Sequence, residues 1–223
     1  MPHALIIGAS RGIGREFVHQ YLADGWRVTA TVRNLQAQDE LAALGARPLL
    51  LDVTQVASMD DFVTTLAGER FDVAVVNAGV TGPRTTGLAT PTQAEFDAVM
   101  HTNVLATMRL APLLAPLLPP GAKLAVLSSR MGSIGSRTAN AVWLYRASKA
   151  ALNSVLKDVA LELGSSGVVC LSFHPGWVRT DMGGAGADIA PEQSVAGMRA
   201  VLAHATPADN GSFFNYDGNT LPW

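Results

Sequence analysis

The chain has 223 residues, 48% of them hydrophobic and 15% charged, with 16 basic and 18 acidic side chains for a formal net charge of −2. That much apolar material supports a sizeable buried core and excludes an intrinsically disordered chain. The near-balanced, interspersed charge leaves no electrostatic footprint for nucleic acid or an anionic lipid surface.

Short β-rich runs alternate with helical patterns from end to end. Strands are predicted at Ala4–Ile7, Arg27–Val32, Arg47–Leu51, Val73–Val76, Lys123–Leu127, Val168–Phe173 and Ser212–Asn215. Helices are predicted near 12–23, 35–44, 58–67, 93–110, 143–164 and 191–204. Several strands are apolar at nearly every position, as expected when helices cover both faces of a sheet. The unbroken β-α rhythm, with no linker, repeat or charge block, predicts one α/β domain over residues 1–223, a doubly wound parallel sheet. The N-terminus enters an apolar strand at once and lacks the basic segment and cleavage site of a signal peptide, so a cytoplasmic location is expected. The longest apolar stretch, Leu110–Leu118, is too short for a membrane span and contains Pro112 and Pro116.

The first strand runs directly into Gly8-Ala-Ser-Arg-Gly-Ile-Gly14 and then a helix. Glycines at 8, 12 and 14 permit a tight turn and close backbone approach, leaving a helix N-terminus free to receive a pyrophosphate. The end of the second strand discriminates dinucleotides: an acid takes the ribose hydroxyls of NAD, an arginine the 2′-phosphate of NADP. Here it reads Thr29-Ala-Thr-Val-Arg-Asn34, without a carboxylate. Arg33, seconded by Arg11 in the glycine turn, favours NADP(H) over NAD(H). Solvated surface charges are the plainer alternative for both arginines.

Two long irregular stretches, Thr81–Pro91 and Gly176–Pro191, emerge beyond the carboxyl ends of the fourth and sixth strands, where open α/β sheets bind ligands. Gly183-Gly-Ala-Gly186 in the second reads as a flexible run suited to a lid, or as ordinary surface loop. Cys170, in an apolar run, reads as a buried structural thiol, and the five scattered histidines have no metal-ligand spacing.

Tyr145 and Lys149 lie one helical turn apart, on a stripe shared with Leu152, Leu156, Val159 and Leu163, while Arg146, Asn153 and Lys157 are expected to turn away. A lysine on a buried stripe needs a polar cavity. At ~4 Å and an effective dielectric of about 20 its charge would attract a phenolate by about 4 kcal/mol. That would draw the phenol down roughly three pKa units, into the range of a proton-transfer group at physiological pH. A core tyrosine beside a snorkelling lysine is the bland alternative.

Together these features resemble the short-chain dehydrogenase/reductase family. The resemblance rests on Gly8–Gly14, Leu51-Asp-Val53, Asn77-Ala-Gly79, Asn103, Ser128-Ser129, Tyr145-x-x-x-Lys149 and Pro175-Gly176, in order along nearly the whole chain. The run His174-Pro-Gly-Trp-Val-Arg-Thr-Asp-Met-Gly-Gly184 and the ending Phe213–Trp223 look like its small carbonyl-reductase branch, with C-factor-like and sniffer-like proteins. The resemblance implies a single-domain Rossmann fold with a seven-stranded sheet in the order 3-2-1-4-5-6-7.

It also implies residue roles. Tyr145 would be the acid or base, Lys149 would hold the nicotinamide ribose and depress the Tyr145 pKa, Ser129 would bond the substrate oxygen, and Asn103 would retain a water beside Lys149. The cofactor would lie along Gly8, Ser10, Arg11, Gly12, Ile13, Gly14, Arg33, Asp52, Val53, Asn77, Ala78 and Gly79, reaching Pro175, Gly176, Val178 and Thr180 near the carboxamide. Ser129 and Tyr145 are 16 residues apart, longer than is common in the family, which makes Ser133 a rival for the Ser129 role. For Asp52 a turn-initiating aspartate, and for Asn103 an ordinary helix-kink asparagine, remain alternatives. The implied activity is NADPH-dependent reduction of an aldehyde or ketone, or the reverse oxidation of an alcohol. An NADP-binding regulatory or signalling protein is the alternative. A homo-oligomer is possible by resemblance, although no residue marks an interface.

Overall fold

The computed structural model describes residues 1–223. Seven strands, β1 (His3–Ile7), β2 (Arg27–Val32), β3 (Arg47–Leu50), β4 (Val73–Val76), β5 (Lys123–Leu127), β6 (Val169–His174) and β7 (Ser212–Asn215), form one sheet in the order β3-β2-β1-β4-β5-β6-β7. Every pair is parallel. The expected architecture and strand order are therefore observed.

Alternate residues along β1, β4, β5 and β6 supply two separate cores. Ala4, Ile6, Val73 and Val75 face a layer built from helices α1 (Gly12–Ala23), α2 (Leu35–Ala43) and α7 (Pro191–His204), with Phe17, Leu41 and Met198 fully buried there or nearly so. Leu5, Ile7, Ala74 and Val76 face the opposite layer of α3 (Val56–Thr65), α5 (Ala106–Leu114) and α6 (Trp143–Gly164), where Phe62, Leu110 and Leu156 are buried. Both side-chain rows being buried is why these strands are apolar at nearly every position. Each large side chain buried this way contributes about 1.5–3 kcal/mol. Cys170 belongs to the second core, and burial pushes its thiol up to about 12.

The single helix expected over 93–110 is instead α4 (Gln93–Met100), a π-helical turn at His101–Leu105, and α5. The wide turn lets Asn103 leave the helix surface and bind the strand-end backbone: its Oδ1 accepts from Val80 N, and its Nδ2 donates to Val80 O, each at 2.8 Å. One such turn inside a helix commonly marks a functional position. Elsewhere the bounds shift by one or two residues, as helix and strand ends do. No helix is long and apolar enough to cross a membrane.

At the sheet margins, β3 carries Arg47 and Pro48, and Arg47 pairs with Glu69 at 2.8 Å. At the other margin the chain turns at Asp217-Gly218 and runs back along β7, with Leu221 N bonded to Phe213 O and Asn215 N to Asn219 O, each at 2.7 Å.

Candidate active site

A groove of about 470 Å³ opens along the carboxyl ends of the central strands. Its wall includes Gly8, Ser10, Arg11, Gly12, Ile13, Arg33, Asp52, Val53, Asn77, Ala78, Gly79, Tyr145, Lys149, Pro175 and Thr180, fifteen of the expected site residues. Gly14, Asn103, Ser129, Gly176 and Val178 are not part of that wall.

The glycine turn shows why its glycines are there. Gly8 has φ +90° and Gly12 φ +56°, both in the left-handed region where a side chain is strained. Gly14 lies against the turn, where an added Cβ would come within 2.1 Å of Gly8 O and 2.6 Å of Asn77 Nδ2. Asn77 donates to that same carbonyl at 2.5 Å, tying β4 to the turn. Gly14→Ala is accordingly expected to lower stability by about 3 kcal/mol or more. Thermal unfolding beside Gly186→Ala, where nothing lies within 4 Å, checks this.

At the far end of the groove, Arg33 is exposed and has no ion-pair partner. Arg11 differs from expectation. Its guanidinium meets Asp181 Oδ2 at 2.8 Å, across the groove from the glycine turn. The expected pair of free guanidinium forks is thus one free fork, Arg33, and one engaged. Asp52 lines the groove and also closes a local turn: its Oδ1 accepts from Thr54 N at 2.9 Å and Thr54 Oγ1 at 2.7 Å. Those two bonds hold its carboxyl below the usual range.

The segment after β6 is braced rather than slack. Arg179 N bonds Ile189 O at 2.9 Å, Ile189 N bonds Trp177 O at 3.1 Å, and Val178 is 4% exposed. Gly183, expected to supply flexibility, is a contact glycine: a Cβ there would sit 2.0 Å from Val178 O. Gly176, at φ +86°, allows a turn packed against Ile189 and Tyr216.

Helix α6 brings Tyr145 and Lys149 to the inner end of the groove. Leu152 and Leu156 root it in the core as expected, but Arg146 and Asn153 are buried as well. Arg146 Nε donates to Ala141 O at 2.9 Å, and Asn153 Oδ1 accepts from Ser172 Oγ at 2.9 Å, so polar partners permit the wider buried face. Asn103 Nδ2 also donates to Ser148 Oγ at 2.9 Å, and Ser148 donates to Tyr145 O at 2.8 Å. Ser148 therefore links the π-helical turn to the backbone of Tyr145, a partnership the sequence did not signal.

Lys149 is 4% exposed and donates to Leu127 O at 2.8 Å, with Nζ 5.8 Å from the centre of the Tyr145 ring. Burial pushes its amine down to about 8. Tyr145 is pushed up, because burial outweighs the lowering influence of the neighbouring Ser129 hydroxyl. The expected depression of the phenol toward neutrality is therefore corrected for the protein alone. The amine is engaged by a carbonyl, and desolvation favours the neutral phenol. Ser133, the rival for Ser129, is fully buried and donates to Pro222 O at 2.6 Å.

The family model described as short chain dehydrogenase matches residues 2–188. The chain belongs to the short-chain dehydrogenase family. It is 36% identical to a protein named C-signal from Myxococcus xanthus over 167 residues, covering 74% of this chain and 100% of that one. Among solved structures, the carbonyl reductase Sniffer of D. melanogaster superposes with a TM-score of 0.92 at 29% identity, covering 100% of both chains. A carbonyl reductase from Pseudomonas aeruginosa in complex with NADP superposes with a TM-score of 0.88 at 35% identity, again over 100% of both.

Proposed function

We propose that this short-chain dehydrogenase family member is an NADP(H)-dependent oxidoreductase acting on a carbonyl/alcohol pair, with aldehyde or ketone reduction favoured. The observation that carries this reading is the convergence, at one end of the glycine-walled groove, of the Tyr145 phenol and the buried Lys149 amine, whose Nζ lies 5.8 Å from the centre of the Tyr145 ring. The dinucleotide fits the residues present: a glycine turn that any Cβ would obstruct, and an unpaired Arg33 at the outer end.

A bound nicotinamide supplies or accepts the hydride. The chain's own part is to orient and to move a proton. Negative charge developing on a carbonyl oxygen meets two hydroxyl donors, Ser129 and Tyr145, where it forms. An ordinary phenol is already protonated at neutral pH and burial shifts Tyr145 further in that direction, so it begins with the proton that a donor in reduction must give. Asn103 and Ser148 hold the first turn of α6 so that the phenol keeps its aim.

NADPH oxidation across a panel of aldehydes and ketones tests the reading. Likeness to the protein named C-signal favours a second one, a dinucleotide-binding signalling protein. Tight NADPH binding with no turnover on any carbonyl would select it. Cofactor choice has its own measurement. Arg33→Ala is expected to weaken NADPH binding about tenfold or more and to leave NADH unchanged, since a charge-assisted bond to the 2′-phosphate is lost. An unaltered NADPH/NADH ratio removes the NADP assignment.

A further inference from the structure

The loop that follows β5 is held from outside the groove by the far end of the chain. Ser129 lies two residues beyond β5, and the short turn Arg130–Gly132 returns on it, with Gly132 N bonded to Ser129 O at 2.8 Å. Gly132 is seated on α6 so closely that a Cβ would lie 2.7 Å from the carbonyl carbon of Lys149. Next comes Ser133, fully buried. Its Oγ donates to Pro222 O at 2.6 Å, lies 3.2 Å from Trp223 O, and accepts from Ser136 N at 3.1 Å. Ile134 N and Gly135 N both reach Trp223 O, at 3.0 and 3.2 Å. The Trp223 ring stacks on Phe213 of β7, with centroids 5.4 Å apart and planes 20° from parallel.

We propose that Ser133 is a positioning residue for the reaction: through it, the strap Asn219–Trp223 clamps the loop carrying Ser129 onto helix α6 and so sets the distance between the Ser129 and Tyr145 hydroxyls. The strap is anchored independently of the groove, on β7 through Leu221 N and Asn215 N. None of Ser133, Pro222 and Trp223 borders the groove, so cofactor binding does not depend on them directly. The inference rests on the oxidoreductase reading above.

Ser133→Ala removes the donor and Trp223→Ala removes the stack while keeping the main-chain oxygens. Leu41→Ala, in the core on the opposite sheet face, serves as a control for lost stability alone. For each variant, kcat and KM for a reduced carbonyl, NADPH affinity, Tm, and amide hydrogen exchange over residues 130–136 are measured. Ser133→Ala is expected to lower kcat about tenfold, since small displacements of catalytic groups cost that much or more. NADPH affinity stays within about twofold, and exchange over 130–136 accelerates. Trp223→Ala follows in the same direction, whereas Leu41→Ala lowers Tm without lowering kcat at 25 °C.

Unchanged kcat in both Ser133→Ala and Trp223→Ala, or unchanged exchange over 130–136, overturns the proposal and leaves the oxidoreductase reading standing. Loss of kcat in Leu41→Ala matching that in Ser133→Ala also overturns it, because general destabilisation then accounts for the effect. If the wild type binds NADPH but reduces nothing, the oxidoreductase reading itself fails and the positioning role falls with it.

Discussion

Tyr145→Phe is expected to reduce carbonyl-dependent NADPH oxidation by about a thousandfold while leaving NADPH affinity within about a factor of two. The ring is held by α6 and by the backbone bond from Ser148, neither of which the substitution touches. What it removes is one hydroxyl, and with it both the proton and one of two donors to the developing oxyanion. Ser129 remains as a donor, so the residual rate should exceed that of free solution. The comparison is made by steady-state kinetics for turnover and by fluorescence titration for cofactor affinity. A variant retaining more than a tenth of the wild-type kcat would remove Tyr145 from the proton-transfer role.

Lys149→Met is expected to have opposite effects on activity and stability. Turnover should fall by more than about a hundredfold, because a cation beside the phenol and cofactor is lost. Stability of the ligand-free protein should rise. The sign follows from the amine being pushed down to about 8 from its ordinary 10.5 by burial. Between those values the unfolded chain binds the proton and the folded one does not, so wild-type stability increases with pH across the window. Below pH 8 the penalty is fully present, on the order of 3 kcal/mol for the shift. Methionine escapes it but forfeits the bond to Leu127 O, about 1 kcal/mol. The net gain is about 2 kcal/mol at pH 7 and is gone by about pH 10, where the remaining penalty no longer exceeds the lost bond. Urea denaturation at pH 7 and at pH 10 measures it. A variant less stable than wild type at pH 7 would contradict a desolvated amine at this position.

The sheet and the glycine turn were legible because their causes are local. Runs such as Ala4–Ile7 are apolar at every position because both faces are buried, and Gly8–Gly14 sits where a strand must pass into a helix. Tyr145 and Lys149 were legible as a pair because helical spacing alone puts them on one side. Three features were hidden, each determined by a partner far along the chain. Asp181 engages Arg11 across 170 positions, so the free-fork count at the cofactor end could not be read from either residue. Ser133 looks like any loop serine until Pro222 and Trp223 arrive beside it. Asn103 interrupts what its neighbours present as continuous helix, because Val80 offers both a donor and an acceptor to its amide. The direction of the Tyr145 shift was missed for a related reason. The assumed close approach of amine and phenol gave attraction first place, but the amine is turned to Leu127 O and burial prevails.

The two flanks of the sheet bear on how this molecule can meet others. Pro48 has no amide hydrogen to offer a newcomer, and its neighbour Arg47 carries a charge that resists burial. On the opposite flank the returning segment already occupies the hydrogen-bonding groups of Phe213 and Asn215. Recruitment of a foreign strand by simple extension of the ladder is therefore disfavoured on both sides. Helical surfaces and loops are left as the faces better suited to association, and the sheet itself is guarded against the open-ended stacking that leads to aggregates.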